Sequence, residues 1–218
     1  MSVEYKGKEY KVKGKEGKRS LDLKGIKITD ITEIKGLNAL TDLNKLKLNK
    51  NQISEIKGLE NLTNLKKLNL SDNQITEIKG LGNLTNLQEL YLSHNKITEI
   101  KGLENLTNLK VIWLDHNQIS KIRGLDTLTK LYLLYLGSNK IITIDGIGNL
   151  KSLTALHFYG NPVQKWLEKN SHVTKFGYVK KPQKLVEYCH LKDVSKSGVV
   201  KKVEQPDVKK LHELFKKD

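Results

Sequence analysis

Asp72, His94 and His116 stand 22 residues apart in the sequence, with Asp115 beside the last of them. Histidine and carboxylate sets hold Zn²⁺ when they converge, and neighbouring strands of a regular repeat would bring these side chains within a few ångströms. The set lacks the ligand spacing of a characterised metal motif, however, and two histidines on one interval also arise as copies of a single surface position. Cys189 followed by His190 places a nucleophile next to a base. Consecutive residues on a helix project in different directions, so the thiol reads as a core residue. The sequence contains no G-x-x-x-x-G-K-[ST] loop, G-x-S-x-G elbow, H-E-x-x-H helix or paired-cysteine metal motif. The expectation is a protein without catalytic machinery or cofactor.

The richer chemistry on the same interval is aromatic. Tyr91, Trp113, Tyr135 and His157 follow one another at 22 residues, preceded by Lys47 and Asn69. Two positions earlier run Lys45, Lys67, Glu89, Val111, Leu133 and Ala155; two positions later run Asn49, Ser71, Ser93, Asp115, Gly137 and Tyr159. Tyr132 adds one more ring. Trp and Tyr dominate interface hot spots, so these residues suit recognition rather than reaction, provided that the interval is structural.

The interval is set by two ladders. Asn51, Asn73, Asn95, Asn117, Asn139 and Asn161 form one; Gly36, Gly58, Gly80, Gly102, Gly124 and Gly146, each followed by Leu or Ile, form the other. Around each Asn runs L-x-x-L-x-L-x-x-N-x-I, as in LNKLKLNKNQI from Leu43, LKKLNLSDNQI from Leu65 and LKVIWLDHNQI from Leu109. The L-x-L alternation turns one side of a short strand to the core, so Leu68 and Leu70 point inward while Asn69 and Ser71 point outward. Each strand pairs with its copy in the next unit, at ~4.8 Å, as a parallel sheet. The Asn falls where the strand turns, and its amide has donors and an acceptor for backbone groups that would otherwise be buried unpaired. Ile75, Ile78, Leu81 and Leu84 fill the core from the convex side. Gly80 marks a bend that requires positive φ or close approach. A unit this short leaves room on the convex side for a 3₁₀ or single turn.

This pattern resembles the leucine-rich repeat over roughly residues 21–163. The I-x-x-I-K-G-L-x-N-L-T-N-L tail is similar to the 22-residue class that includes regulators of protein phosphatase 1 and the bacterial internalins. The resemblance implies an α/β solenoid, mostly β, of about seven units with a curved parallel sheet on its concave face. It also implies a binding role, with a phosphatase or a small GTPase as the partner suggested by fold-level analogy. The contact residues of the family lie in its variable columns and do not transfer.

A stack of repeats needs covered ends. Residues 1–20 alternate on both sides of Gly7, which predicts a hairpin cap of Val3–Tyr5 with Tyr10–Val12. Residues 21–42 keep the back half of the repeat (Ile31, Ile34, Gly36, Leu37, Leu40), whereas Lys24 stands at a core Leu position and Thr29 at that of the Asn, as in a degenerate terminal unit. Residues 164–218 are a basic, partly helical appendage. Trp166, Leu167, Val173, Phe176 and Tyr178 supply apolar mass, Leu185, Tyr188 and Cys189 have helical spacing, residues 194–206 read as a linker, and Val208, Leu211, Leu214 and Phe215 form the stripe of a last helix over 206–217. Residues 164–190 are expected to close the end of the stack.

The formal net charge of +15 is concentrated at the ends: residues 1–20 carry seven basic against three acidic groups, and residues 162–218 carry 14 against seven. One cysteine excludes an internal disulfide and suits a reducing compartment. The N-terminus has no apolar stretch of the signal-peptide type, so a cytoplasmic setting is expected. The function read from these residues is protein–protein recognition on the concave face. It uses the apolar ridge of Tyr91, Val111, Trp113, Tyr132, Leu133, Tyr135, His157 and Tyr159 beside the lysines Lys45, Lys47 and Lys67, which face an acidic stretch of the partner. The C-terminal appendage folding over the ridge is the competing arrangement. The alternative function is binding of nucleic acid or anionic membrane through the lysine-rich ends.

Overall fold

In the computed structural model, residues 1–169, 174, 176–179, 181–187 and 189 are described. Seven parallel strands form one sheet in sequence order: β3 (Arg19–Asp22), β4 (Leu43–Lys47), β5 (Lys67–Asn69), β6 (Glu89–Tyr91), β7 (Val111–Trp113), β8 (Leu133–Tyr135) and β9 (Ala155–His157). From β4 onward the register is strictly that of the repeat, pairing Leu46 with Leu68, Leu68 with Leu90, Leu90 with Ile112, Ile112 with Leu134 and Leu134 with Leu156. All of these inward residues are buried. The convex side closes each unit with single turns, such as Leu62 N–H to Leu59 O at 3.0 Å and Leu84 N–H to Leu81 O at 2.9 Å. Regular 3₁₀ turns occur in the first unit, at Ile31–Glu33 and Leu37–Ala39.

The asparagine ladder supplies the polar interior. Asn95 donates from Nδ2 to the carbonyls of Leu92 in its own unit and Leu70 in the preceding one, both at 3.0 Å, and accepts from Ile75 N–H at 2.9 Å. Asn73, Asn117, Asn139 and Asn161 repeat this scheme. Each side chain therefore serves its own turn and also joins two units. The glycine ladder has φ of +74° at Gly80 and +77° at Gly102, and a Cβ at either would overlap the carbonyl oxygen of Ile56 or Ile78 respectively. Both reasons for glycine, positive φ and close approach, apply together.

The first unit departs from the expected alignment. Leu21, not Lys24, pairs with Leu46, and Leu21 and Leu23 are buried while Lys24 is exposed. The unit is intact at the front but three residues longer than the rest, which shifts its Leu-x-Leu out of the 22-residue register. Ile26, rather than Thr29, stands at the ladder position, and its N–H and that of Ile28 both donate to Asn51 Oδ1 at 3.0 Å. The solenoid sheet begins with β3 at Arg19.

The hairpin pairs β1 (Ser2–Tyr5) with β2 (Lys8–Lys11), Val3 opposite Tyr10. Val3 and Tyr5 are buried against the first unit, and Lys13 exchanges two backbone bonds of 2.8 Å with Ser20, covering the free edge of β3. At the other end, α1 (Pro162–Lys169) buries Val163 and Leu167. Residues 182–187 are helical, and Leu185, Val186 and Cys189 join the core. Between them residues 176–179 lie along β9: Phe158 N–H donates to Gly177 O and Val179 N–H to Leu156 O, each at 2.9 Å. Gly177, at φ +75°, is crossed so closely by the Tyr159 backbone that no side chain fits. An open strand edge is a liability, and this strap removes it. The Trp166 side chain, Val173, Tyr188, His190, the linker and the helix over 206–217 lie outside the described residues.

Candidate functional site

The parallel register places the outward aromatic residues side by side on the concave face: Asn69 beside Tyr91, Tyr91 beside Trp113, Trp113 beside Tyr135 and Tyr135 beside His157. Their rings form a continuous ridge, with centroid separations of 5.6 Å for Tyr91–Trp113, 5.0 Å for the stacked Trp113–Tyr135 pair and 5.4 Å for Tyr135–His157. Strand spacing enforces these distances, because rings one strand apart on a common face cannot avoid contact. Trp113 remains 37% exposed, and Tyr132 and Tyr159 are also exposed; Tyr91, Leu133, Tyr135 and His157 are half-buried.

Val111 does not belong to the surface. It is only 7% exposed, because its short side chain lies between the longer Glu89 and Leu133 on the flanking strands.

The lysines next to the ridge are partly neutralised within the chain. Lys67 pairs with Glu89 and stands 4.9 Å over the Tyr91 ring, while the Tyr91 hydroxyl donates to the same carboxylate at 2.5 Å. Burial opposes ionisation of Glu89, but the bonds from Lys67 and Tyr91 outweigh it and hold its pKa below the usual value. Burial, with the Glu89 contact, raises the pKa of the Tyr91 hydroxyl. Lys47 pairs with Asp22 at 2.8 Å. Lys45, by contrast, forms no ion pair among the described residues, nor do Lys50 and Lys66 nearby.

The far end of the ridge is a polar junction that sequence reading did not anticipate. Asp115 Oδ1 accepts from Gly137 N–H at 2.7 Å and lies 3.3 Å from His157 Nδ1; His157 Nε2 lies 2.9 Å from the Phe176 carbonyl oxygen. A Cβ at position 137 would stand 2.8 Å from Asp115 Oδ1 and 2.9 Å from the imidazole, so Gly137 makes room for the junction. Tyr178 of the strap completes it, 4.6 Å from His157 and 6.1 Å, edge-on, from Tyr135. Burial and the neighbouring Tyr178 raise the pKa of Tyr135. The strap therefore borders the ridge and leaves Trp113 open.

The candidate metal column has another explanation. Lys50, Asp72, His94, His116 and Ser138 all have φ between +52° and +59°. This left-handed turn is where Asp, Asn and His are enriched among non-glycine residues. His94 and His116 are stacked, with ring centroids 4.2 Å apart and ring planes 11° from parallel. Nitrogen lone pairs lie in the ring planes, so stacked rings direct them side by side rather than at a shared ion. Among the described residues no group of three or more His, Cys, Asp or Glu is placed to hold a metal.

Comparison with known proteins agrees with the repeat fold. Residues 41–83, 63–106 and 85–130 match the family described as Leucine Rich repeats (2 copies). Internalin C2 of Listeria monocytogenes is 32% identical, with 66% of this chain and 72% of that one covered at a TM-score of 0.52. The chain is a leucine-rich repeat protein. A leucine-rich repeat protein of Leptospira interrogans is 34% identical over 62% of this chain and 36% of its own, at a TM-score of 0.55. TLR13, solved as a complex with ssRNA13, is 32% identical over 57% of this chain and 19% of its own, at 0.52. No curated protein sequence matches the chain. Leucine-rich repeat proteins typically act in protein–protein interaction, and their repeats generally serve binding rather than catalysis.

Proposed function

We propose that this leucine-rich repeat protein binds a protein partner on its concave face, anchored by Trp113 and Tyr135. The observation that carries the reading is the ridge itself: rings in contact on adjacent strands, with the largest of them still 37% exposed. Contiguous exposed apolar surface marks interaction sites, and Trp and Tyr in such surfaces are the common hot spots. Lys45, Lys50 and Lys66 extend the site toward the N-terminus and favour a partner with an acidic stretch beside its apolar anchor. The single cysteine, Cys189, is buried, which suits a cytoplasmic partner. A phosphatase or a small GTPase is the class of partner to test first, by analogy with the group of regulators that this repeat resembles. Titration of a candidate partner into wild type and Trp113→Ala tests the reading: equal affinity for the two proteins refutes it.

A second reading rests on the exposed Lys6, Lys8, Lys11, Lys13, Lys15 and Lys18 of the N-terminal cap, which suit nucleic acid or anionic membrane. Binding of that kind weakens steeply with salt. Submicromolar, sequence-selective binding to nucleic acid at physiological salt would favour it over the concave site.

A further inference from the structure

The strap is exposed where it meets the ridge. Phe176 is 60% and Tyr178 44% exposed, although both belong to a segment that covers the last strand. A cap whose sole task is to seal apolar core turns such side chains inward, as Val179 does at 7% exposure. Phe176 and Tyr178 instead continue the outward aromatic surface past the final repeat. Tyr178 touches His157 and Tyr135, which stands between it and Trp113. The strap is held in place by more than packing: two backbone bonds join it to β9, Gly177 permits the close crossing, and the His157 ring stands between the Phe176 carbonyl oxygen, 2.9 Å from Nε2, and Asp115, 3.3 Å from Nδ1. Asp115 in turn is fixed by Gly137 N–H. Such support preorganises the strap rings before any partner arrives, which reduces the entropy lost on binding.

We propose that the strap is the second wall of the partner site: an acidic peptide segment seats one apolar anchor against Trp113 and Tyr178, which flank Tyr135, and lays its carboxylates over Lys45, Lys50 and Lys66. The charge order along the concave face carries the choice of occupant. Lys45 on β4, Lys50 in the turn after it and Lys66 just before β5 form no salt bridge among the described residues, although Lys45 is near enough to Glu89 to favour its ionised form, whereas the C-terminal half presents rings together with an Asp115 that accepts from Gly137 N–H and lies 3.3 Å from His157. A segment with acids at one end and an apolar group at the other matches both halves. The proposal rests on the concave-face reading and assigns it three features: a wall outside the repeats, an acidic occupant and a fixed direction.

The test is selection of a phage-displayed library of random linear peptides against the full chain. Selected peptides are then synthesised and titrated by fluorescence anisotropy into wild type, Trp113→Ala, Tyr178→Ala, Phe176→Ala and the double variant Lys45→Glu/Lys66→Glu. The expected peptides pair Asp or Glu clusters with one Leu, Phe or Trp. The expected losses of affinity are at least roughly thirtyfold for Trp113→Ala and about tenfold for Tyr178→Ala and for the lysine double variant. If Tyr178→Ala lowers the melting temperature, Phe176→Ala, which removes a more exposed ring, decides. Loss with Trp113→Ala but full affinity in both strap variants would overturn the second wall and leave the concave reading standing. Full affinity in Trp113→Ala would remove the concave reading and the proposal together. Selected peptides without acidic residues would overturn the choice of occupant.

Discussion

Replacing Asn95 by alanine tests whether the ladder holds the solenoid together, and the cost can be worked from its partners. The Leu70 carbonyl receives Nδ2 bonds from both Asn73 and Asn95, and the Leu92 carbonyl from both Asn95 and Asn117. Asn95→Ala therefore leaves each carbonyl one donor but strips Ile75 N–H of its acceptor. An orphaned buried N–H costs about 1–3 kcal/mol and each lost bond about 0.5–1.5 kcal/mol, so the variant should lose roughly 2–6 kcal/mol. Asn51→Ala should lose more, since its Oδ1 serves two N–H groups, those of Ile26 and Ile28. Asn95→Asp should be worse than alanine at neutral pH. A carboxylate has no proton to donate and would face two carbonyl oxygens, so burial and repulsion raise its pKa. The sign follows: the penalty is full above that raised pKa and is relieved as pH falls through it, when the acid regains a proton to donate. Urea unfolding followed by circular dichroism across the acidic range measures all three variants. An Asn95→Asp midpoint equal to that of wild type at neutral pH would mean that the two carbonyls do not depend on a donor at this position.

Gly102→Ala should lose about 2 kcal/mol or more, because left-handed φ and overlap with the Ile78 carbonyl combine, whereas Gly7→Ala, at similar φ with nothing within 4 Å, should lose only about 1 kcal/mol; equal losses in thermal melts would contradict the close-approach argument. Asp30 caps the turn at Ile31–Glu33 through Thr32 N–H and pairs with Lys57, and the Lys57 and Thr32 bonds hold its pKa at about 2. Asp30→Ala should cost about 1 kcal/mol above pH ~4, and the difference from wild type should vanish as pH falls through about 2; a difference independent of pH would exclude the ionised cap. A chain ending at Val163 loses the strap bonds and uncovers Leu156 and Phe158, so light scattering should show aggregation or calorimetry a much lower melting temperature; an unchanged monomer would make the strap dispensable.

The fold was legible because its two ladders carry unambiguous physics. An amide at each Asn and a bare Cα at each Gly leave little freedom of interpretation, and the structure uses both as the pattern implies. What escaped lies where the period breaks or where one residue type serves two purposes. Three extra residues between Ile28 and Gly36 hide an intact first unit from a 22-residue frame. The left-handed turn at Asp72, His94 and His116 selects residues that also bind metals, so backbone geometry resembled ligand chemistry. Val111 occupies an outward column, yet its exposure depends on the lengths of its cross-strand neighbours, which alternation alone ignores. The strap has no period at all. Its one sequence signal was Gly177 between two aromatic residues, which becomes meaningful only when Tyr159 crosses it.

Paired measurements on Trp113→Ala and Tyr135→Ala separate recognition of a partner by the ridge from stabilisation of the fold. Affinity for the partner and melting temperature should separate: at least ~2 kcal/mol of binding lost per ring, roughly thirtyfold, with the melting temperature scarcely changed. Leu114→Ala, in the core, should do the reverse and cost ~2–5 kcal/mol of stability. Unchanged affinity, or a large fall in melting temperature for Trp113→Ala, would place the binding surface elsewhere.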